Sequence, residues 1–346
     1  MNIFIGILII AFGAFCQSSC YVPINRIRQW SWESYWLVQG VFAWVLFPLC
    51  GLFLAVPHGE QVSGLFAAVP AFNIWMTVLF GVLWGIGGLT FGLSMRYLGV
   101  ALGQSISLGT CAAFGTVMGP LMIHAFFPEL DALSQLTSSV LAGVAVTVTG
   151  IAVIGLAGSM RSKEQTQETD KPAGAGETGF RFGKGIAIAL LAGLMSGCFN
   201  VGLTFGADIC FEHTHPMFRT LPATLLVTLG GFFTNLVYCL WQNVKNGTLA
   251  DYGKTSVWLN NFLYCMLAGA LWYSQFFGLS LAKGFLTESP QLMTLSFCIL
   301  MALNVVFSNV WGLILHEWRG CSRRTVMVLL AGIVILLISS FIPQWL

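Results

Sequence analysis

Ten stretches without one charged residue divide this chain, at 1–25, 34–57, 61–95, 97–128, 132–160, 185–207, 220–244, 255–282, 289–316 and 325–346. Each is at least 22 residues long, and about 20 apolar residues in a helix span the hydrocarbon core of a bilayer. That core holds no water to satisfy backbone amides, so each stretch is expected to be an α-helix. Only 8% of the residues are charged and 57% are hydrophobic, against roughly 25% charged in a soluble domain. A soluble protein with ten buried helices would need amphipathic helices around them, and none is visible. The expected fold is an all-α integral membrane protein, embedded in a lipid bilayer, with ten transmembrane helices. The spans fall at about 3–22, 34–55, 72–94, 99–122, 137–157, 184–206, 219–241, 258–280, 291–314 and 325–342. No Lys or Arg precedes the first apolar run, so residues 1–22 read as the first span and not as a cleaved leader.

The loops orient the chain. The side opposite the termini collects 13 of the 15 Lys and Arg residues, while the side holding the termini has only Arg219 and Lys283. By the positive-inside rule the basic side is cytoplasmic and both termini face outward, into the periplasm of a bacterium. The one long hydrophilic segment, "GSMRSKEQTQETDKPAGAGETGFRFG" at 158–183, has a linker's composition. It separates a five-helix repeat at 1–157 from a second at 184–346. "GVLWGIGGLTFGLS" (81–94) is echoed by "GALWYSQFFGLS" (269–280). Two halves of five helices enter the membrane from opposite sides, so the expected arrangement is a 5+5 inverted-topology repeat. Secondary transporters use it to place substrate near the midplane.

Polar side chains are costly in hydrocarbon and face a cavity or another helix. Gln17, Gln104, Asn200, Asn235, Gln275, Asn304 and Asn309 lie within spans, mixed with Trp84, Trp272, Tyr273 and Phe276. Neutral amides bond hydroxyls, and aromatic rings cover the C–H face of a sugar, so a small neutral polyhydroxylated ligand is expected. No P-loop is present, which leaves an ion gradient as the energy source. No H-E-x-x-H or in-span aspartate pair supports an enzyme. His213 and His215, beside Glu212 and Asp208, read as a solvated loop and not a metal site. The cysteines, without a C-x-x-C, read as packing residues. No cofactor and no nucleic-acid partner is expected, and the sequence sets no oligomeric state.

"RIRQWSWESYW" (26–36) places a carboxylate, Glu33, at the mouth of an apolar span among three tryptophans. One reading puts Glu33 in the first turn of a helix capped by Ser31, paired with Arg26 or Arg28. The other has it carry a proton, its pKa balanced between desolvation and basic neighbours.

"YVPINRIRQWSWESYW", "GVLWGIGGLTFGLSMRYLGVALGQSISLG", "LWYSQFF" and "HEWRGCSRR" closely resemble the L-rhamnose–proton symporter family, within the ten-helix drug/metabolite transporter superfamily. The likeness runs over nearly the whole chain. It implies uptake of L-rhamnose with a proton across a bacterial inner membrane. It departs from enteric members at Gly88, usually Asn, at Gln104 and Ser107 in a stretch usually of Gly and Ile, and over 206–222, which leaves a related deoxy-sugar open. The expected sugar site comprises Gln17, Trp84, Gln104, Trp272, Tyr273, Gln275 and Asn304. Glu33 is the first proton-coupling candidate, Asp208 the second, and Arg96 a gating residue. The alternative on the same scaffold is a metabolite or drug exporter.

Overall fold

The structure is a computed structural model that describes residues 2–67, 69–98, 100–167 and 175–342, with the side chains at 96, 100–102, 165–167 and 175–182 left aside. All secondary structure among the described residues is helical. The helices used below are α1 (Asn2–Ser19), α2 (Trp32–Gly40), α3 (Phe47–Ala55), α4 (Ala71–Leu98), α5 (Val100–Phe126), α6 (Ser138–Gln167), α7 (Ala175–Phe205), α8 (Leu221–Asn246), α9 (Thr255–Phe285), α10 (Pro290–Ile314) and α11 (Arg323–Ser339). Nine described spans are long and apolar enough to cross a membrane. The apolar α11, with 17 residues, sits at the lower limit for a tenth. The chain is a multi-pass membrane protein. Helices α6 and α7 extend into the hydrophilic segment 158–183, whose residues 168–174 lie outside the described residues.

The second span is not one regular helix. Helices α2 and α3 are joined by a π-helical turn, Val41–Leu46. Pro48 has no N–H to give the Trp44 carbonyl, and the Phe47 amide reaches back five residues to Phe42. The extra residue rotates the preceding positions by about 100° relative to a regular helix, and Trp44 lies within it.

Two compact units divide the chain. Met1–Gly85 with Val201–Glu288 form the first, and Ile86–Asn200 with Ser289–Leu346 the second. Each takes helices from both halves of the sequence.

In the first unit α1 lies along α9. Gly13 meets the Ser274 carbonyl, which a Cβ there would approach to 3.0 Å. The glycines of "GVLWG" let α4 touch α8 main chain to main chain. A Cβ at Gly85 would fall 2.8 Å from the Gly231 carbonyl oxygen, and one at Gly81 would overlap the Val227 carbonyl. Small residues permit such approach where lipid supplies no hydrophobic drive between helices. In the second unit α11 packs on α6 through Gly332 and Ile154. These helices and α10 bury Ile151, Val305, Trp318 and Leu329.

Candidate substrate and proton site

The α2 N-terminus is held from a distance in sequence. Gly247, with φ 67°, ends α8 in the left-handed conformation that glycine adopts without strain. The chain then folds into a 3-10 turn, Thr248–Gly253, that brings Asp251 to Ser31. Asp251 is buried, and its Oδ2 accepts from the Ser31 amide (2.7 Å) and hydroxyl (2.7 Å). Lys254 Nζ lies 2.6 Å from Oδ1 and also donates to the Gln29 carbonyl at 2.7 Å. Burial works to raise the Asp251 pKa, but the Lys254 ammonium, the Ser31 amide and hydroxyl and the Ser34 hydroxyl outweigh it and hold the carboxyl at about 2. Ser31 stands at the N-cap of α2 and Glu33 in its first turn, as expected, but the Ser31 side chain makes no capping hydrogen bond and its hydroxyl donates to Asp251 instead.

Glu33, 6% exposed, has a different environment. Its Oε1 accepts from Asn246 Nδ2 and Thr248 Oγ1, each at 2.9 Å. Among the described residues no ion pair joins it to Arg26 or Arg28. Arg28 is fixed through its backbone instead, donating to Asn261 Oδ1 at 3.0 Å and accepting from Asn261 Nδ2 at 2.7 Å. The two carboxylates are linked by hydroxyls with one proton each. Thr248 Oγ1 lies 2.9 Å from Glu33 and 3.0 Å from Asn243 Oδ1. Ser34 Oγ lies 2.9 Å from Asn243 Oδ1 and 3.0 Å from Asp251 Oδ2. Each hydroxyl chooses one acceptor, so a change of charge at Glu33 can pass along Thr248, Asn243 and Ser34 to Asp251.

A column of aromatic rings starts beside this network. Trp32 is exposed, as a membrane-interface residue should be, and stacks on Trp36 at 5.5 Å. Trp36 donates its indole N–H to Asn235 Oδ1 (3.0 Å) and meets Trp44 at 5.7 Å. The π turn sets Trp44 edge-on to both Trp84 and Trp272, each at 5.9 Å, and those two rings lie 5.6 Å apart. Phe276 extends the column at 5.3 Å from Trp272. Trp44 is 3% exposed and its Nε1 has no hydrogen-bond partner among the described residues; nor do the buried Tyr273 hydroxyl, which packs over Gly51, and Gln39 Oε1. Orphaned buried polar atoms are rare because each forfeits its hydration. The aromatic faces and the Trp44 donor together suit a ligand with both C–H faces and hydroxyls.

The first unit thus joins Trp84 to Trp272 directly and places Tyr273 and Gln275, both buried, on the same helix. Gln17 is half-buried on α1, one turn beyond Gly13, where α1 meets Gln275. Gln104 and Asn304 belong to the second unit. Gln104 lines a cavity there of about 410 Å³, and Asn304 is buried on α10. Asp208 is exposed in the loop after α7, and Arg96 lies on α4 in the second unit, its side chain outside what is described. Sequence reasoning missed Asp251, Trp44 and Gln39. Asp251 sits in "NGTLADYGK", which reads as a solvated loop, and Trp44 is buried in an apolar run. The one signal for Trp44 was Pro48, four residues on.

A sequence model described as "L-rhamnose-proton symport protein (RhaT)" matches residues 1–344. The chain belongs to this family. Among curated relatives named L-rhamnose-proton symporter, the protein of Mannheimia succiniciproducens is 29% identical over 352 residues, covering 98% of this chain and 96% of the relative. That of Cronobacter sakazakii is 30% identical over 348 residues, covering 97% and 95%. That of Yersinia pestis bv. Antiqua is 28% identical over 350 residues, covering 98% and 96%. The resemblance read from the tryptophan and arginine motifs therefore holds over the full length, and the chain is a member of a transporter family. These relatives are named symporters, which does not favour the exporter alternative.

Proposed function

We propose that this chain imports L-rhamnose, or a related 6-deoxy sugar, together with a proton by alternating access. It sits in a bacterial inner membrane with both termini in the periplasm, and the proton is the coupling ion, with no further cofactor. Those termini put the Glu33–Asp251 network at the cytoplasmic end of the first unit. The observation that carries the reading is the ring cage of Trp44, Trp84 and Trp272, whose Trp44 N–H is buried without a partner among the described residues. A 6-deoxyhexose presents a C–H face and a methyl to such rings and hydroxyls to the indole N–H. Of the seven expected sugar ligands, the five of the first unit, Gln17, Trp84, Trp272, Tyr273 and Gln275, are assigned to this site, with Trp44 added.

Glu33 is the coupling group. Asp251 has Lys254 as its counter-ion, whereas Glu33 is held by neutral donors alone. A carboxylate without a cation has less to lose on taking a proton. Protonation makes Glu33 a donor as well as an acceptor, which turns the Thr248 hydroxyl toward Asn243 and relaxes the tie between α2 and the 248–253 turn. Proton binding that differs between outward and inward states then biases their exchange. Exposed Asp208 is the second candidate for picking up the proton, from the periplasmic side, and Arg96 the gating candidate.

Uptake of labelled L-rhamnose into proteoliposomes, with and without an inward proton gradient, tests both parts. For Glu33→Gln, loss of gradient-driven accumulation with sugar exchange retained is the expected result. Accumulation that survives returns Glu33 to a purely structural role. No transport by the wild type removes the named substrate.

A further inference from the structure

A cavity of about 410 Å³ is lined by residues of the second unit alone, whereas the tryptophan cage belongs to the first, and the cavity has no place in the mechanism above. It lies where the first turns of α5 and the last turns of α6 and α10 meet the chain leading to α11. Its volume is within the range of small-molecule sites, roughly 300–1,000 Å³.

One wall is made of amides. Gln104 on α5 makes no hydrogen bond among the described residues, so its carbonyl and its NH₂ both remain available. Asn309 on α10 donates Nδ2 to the Val305 carbonyl at 2.8 Å, which leaves Oδ1 as an acceptor. At the rim Arg161 Nη1 lies 3.2 Å from a Glu317 carboxylate oxygen, and its guanidinium covers the Trp318 ring at 5.1 Å. The pair cancels its own charge, so the lining attracts neither an anion nor a cation strongly. The floor is apolar, formed by Ile154 and Val305 of the buried core.

Neutral amides, a self-neutralised ion pair and an apolar floor match one ligand chemistry, a polyhydroxylated molecule with one apolar end. We propose that this cavity is a second sugar-binding site. It takes a neutral 6-deoxyhexose with its methyl on Ile154 and Val305 and its hydroxyls on Gln104, Asn309 and the Arg161–Glu317 pair. The ligand class rests on the proposed function; the site itself does not. On the proposed orientation the cavity opens at the cytoplasmic end, so it fills from the pool of imported sugar.

Equilibrium dialysis of radiolabelled L-rhamnose against the purified full-length protein in lipid nanodiscs separates the possibilities. The expected result is two sugars bound per chain at saturation. Gln104→Leu and, independently, Asn309→Leu should each leave one, and Trp272→Ala should remove the other. Two variants on different helices, each checked for a monodisperse elution peak, guard against a misfolded one. One sugar per chain, lost in Trp272→Ala and kept in both cavity variants, overturns this proposal and leaves the transport reading standing. One sugar per chain, lost in the cavity variants and kept in Trp272→Ala, upholds the cavity and overturns the tryptophan cage. No bound L-rhamnose refutes both.

Discussion

Replacing Asp251 with Asn tests the cross-sequence tie at the α2 N-terminus. The substitution keeps the shape and one acceptor oxygen but removes the charge that Lys254 and the two serines were arranged around. In the folded protein the carboxyl sits at about 2, against an ordinary value of 3.8. A difference approaching two pKa units corresponds to roughly 2.5 kcal/mol of preference for the charged form. The Lys254 side chain is 40% exposed, so water screens part of that pairing, and about 2 kcal/mol is the figure to test. The sign follows from the lowered folded value. The contribution is complete above the unfolded pKa, near 4, and is lost as the pH falls from there through about 2. Thermal unfolding followed by near-ultraviolet circular dichroism in nanodiscs provides the assay. The variant should melt several degrees below the wild type at pH 7 and by the same margin at pH 5. The gap should narrow between pH 4 and pH 3. Equal midpoints at neutral pH, or a gap that stays constant down to pH 3, would refute the assignment of a charged, tethering Asp251.

Trp44→Phe should preserve the ring contacts with Trp84 and Trp272 while deleting the partnerless N–H. Unliganded stability should hold or rise slightly, and L-rhamnose affinity should fall about tenfold, the equivalent of one hydrogen bond of about 1.4 kcal/mol, read by equilibrium dialysis. Gly81→Ala drives a methyl into the Val227 carbonyl. It should cost about 1–3 kcal/mol by forcing α4 from α8, seen as a lower melting point and a reduced yield of monodisperse protein. Arg161→Ala breaks an ion pair whose Glu317 side chain is half exposed. Its cost should stay below about 1 kcal/mol in the same melting assay, because surface pairs contribute little.

The membrane class was legible because crossing a bilayer is a local requirement. About 20 apolar residues in succession must occur wherever a helix spans, and that can be read in one stretch of chain at a time. The π turn was less legible. Pro48 marks where a hydrogen bond must be lost, yet the proline alone does not say whether the helix kinks, breaks or absorbs an extra residue. The candidate site was legible in part. Trp84 and Trp272 stood out through an echo in sequence, and their rings do meet. Gln104 and Gln275, similar amides in similar apolar helices, fall in different units.

Glu33 shows where the boundary lies. That a carboxylate stands at the start of an apolar helix among tryptophans is a property of eleven consecutive residues. What satisfies it is not. The nearby arginines, seven and five positions away, were the natural partners on sequence distance, and the structure passes over both for Asn246 and Thr248, more than 200 residues on. The same holds for Ser31, whose hydroxyl is taken by Asp251 across 220 residues. Helical spans, their polar interruptions and the sidedness of their charge follow from residues and their immediate neighbours, because hydrocarbon and backbone hydrogen bonding act on each segment alone. Which donor reaches which buried acceptor depends on how α8 and α9 pack against α2, and hydrogen-bond geometry of a few tenths of an ångström can be settled only once those helices are in place.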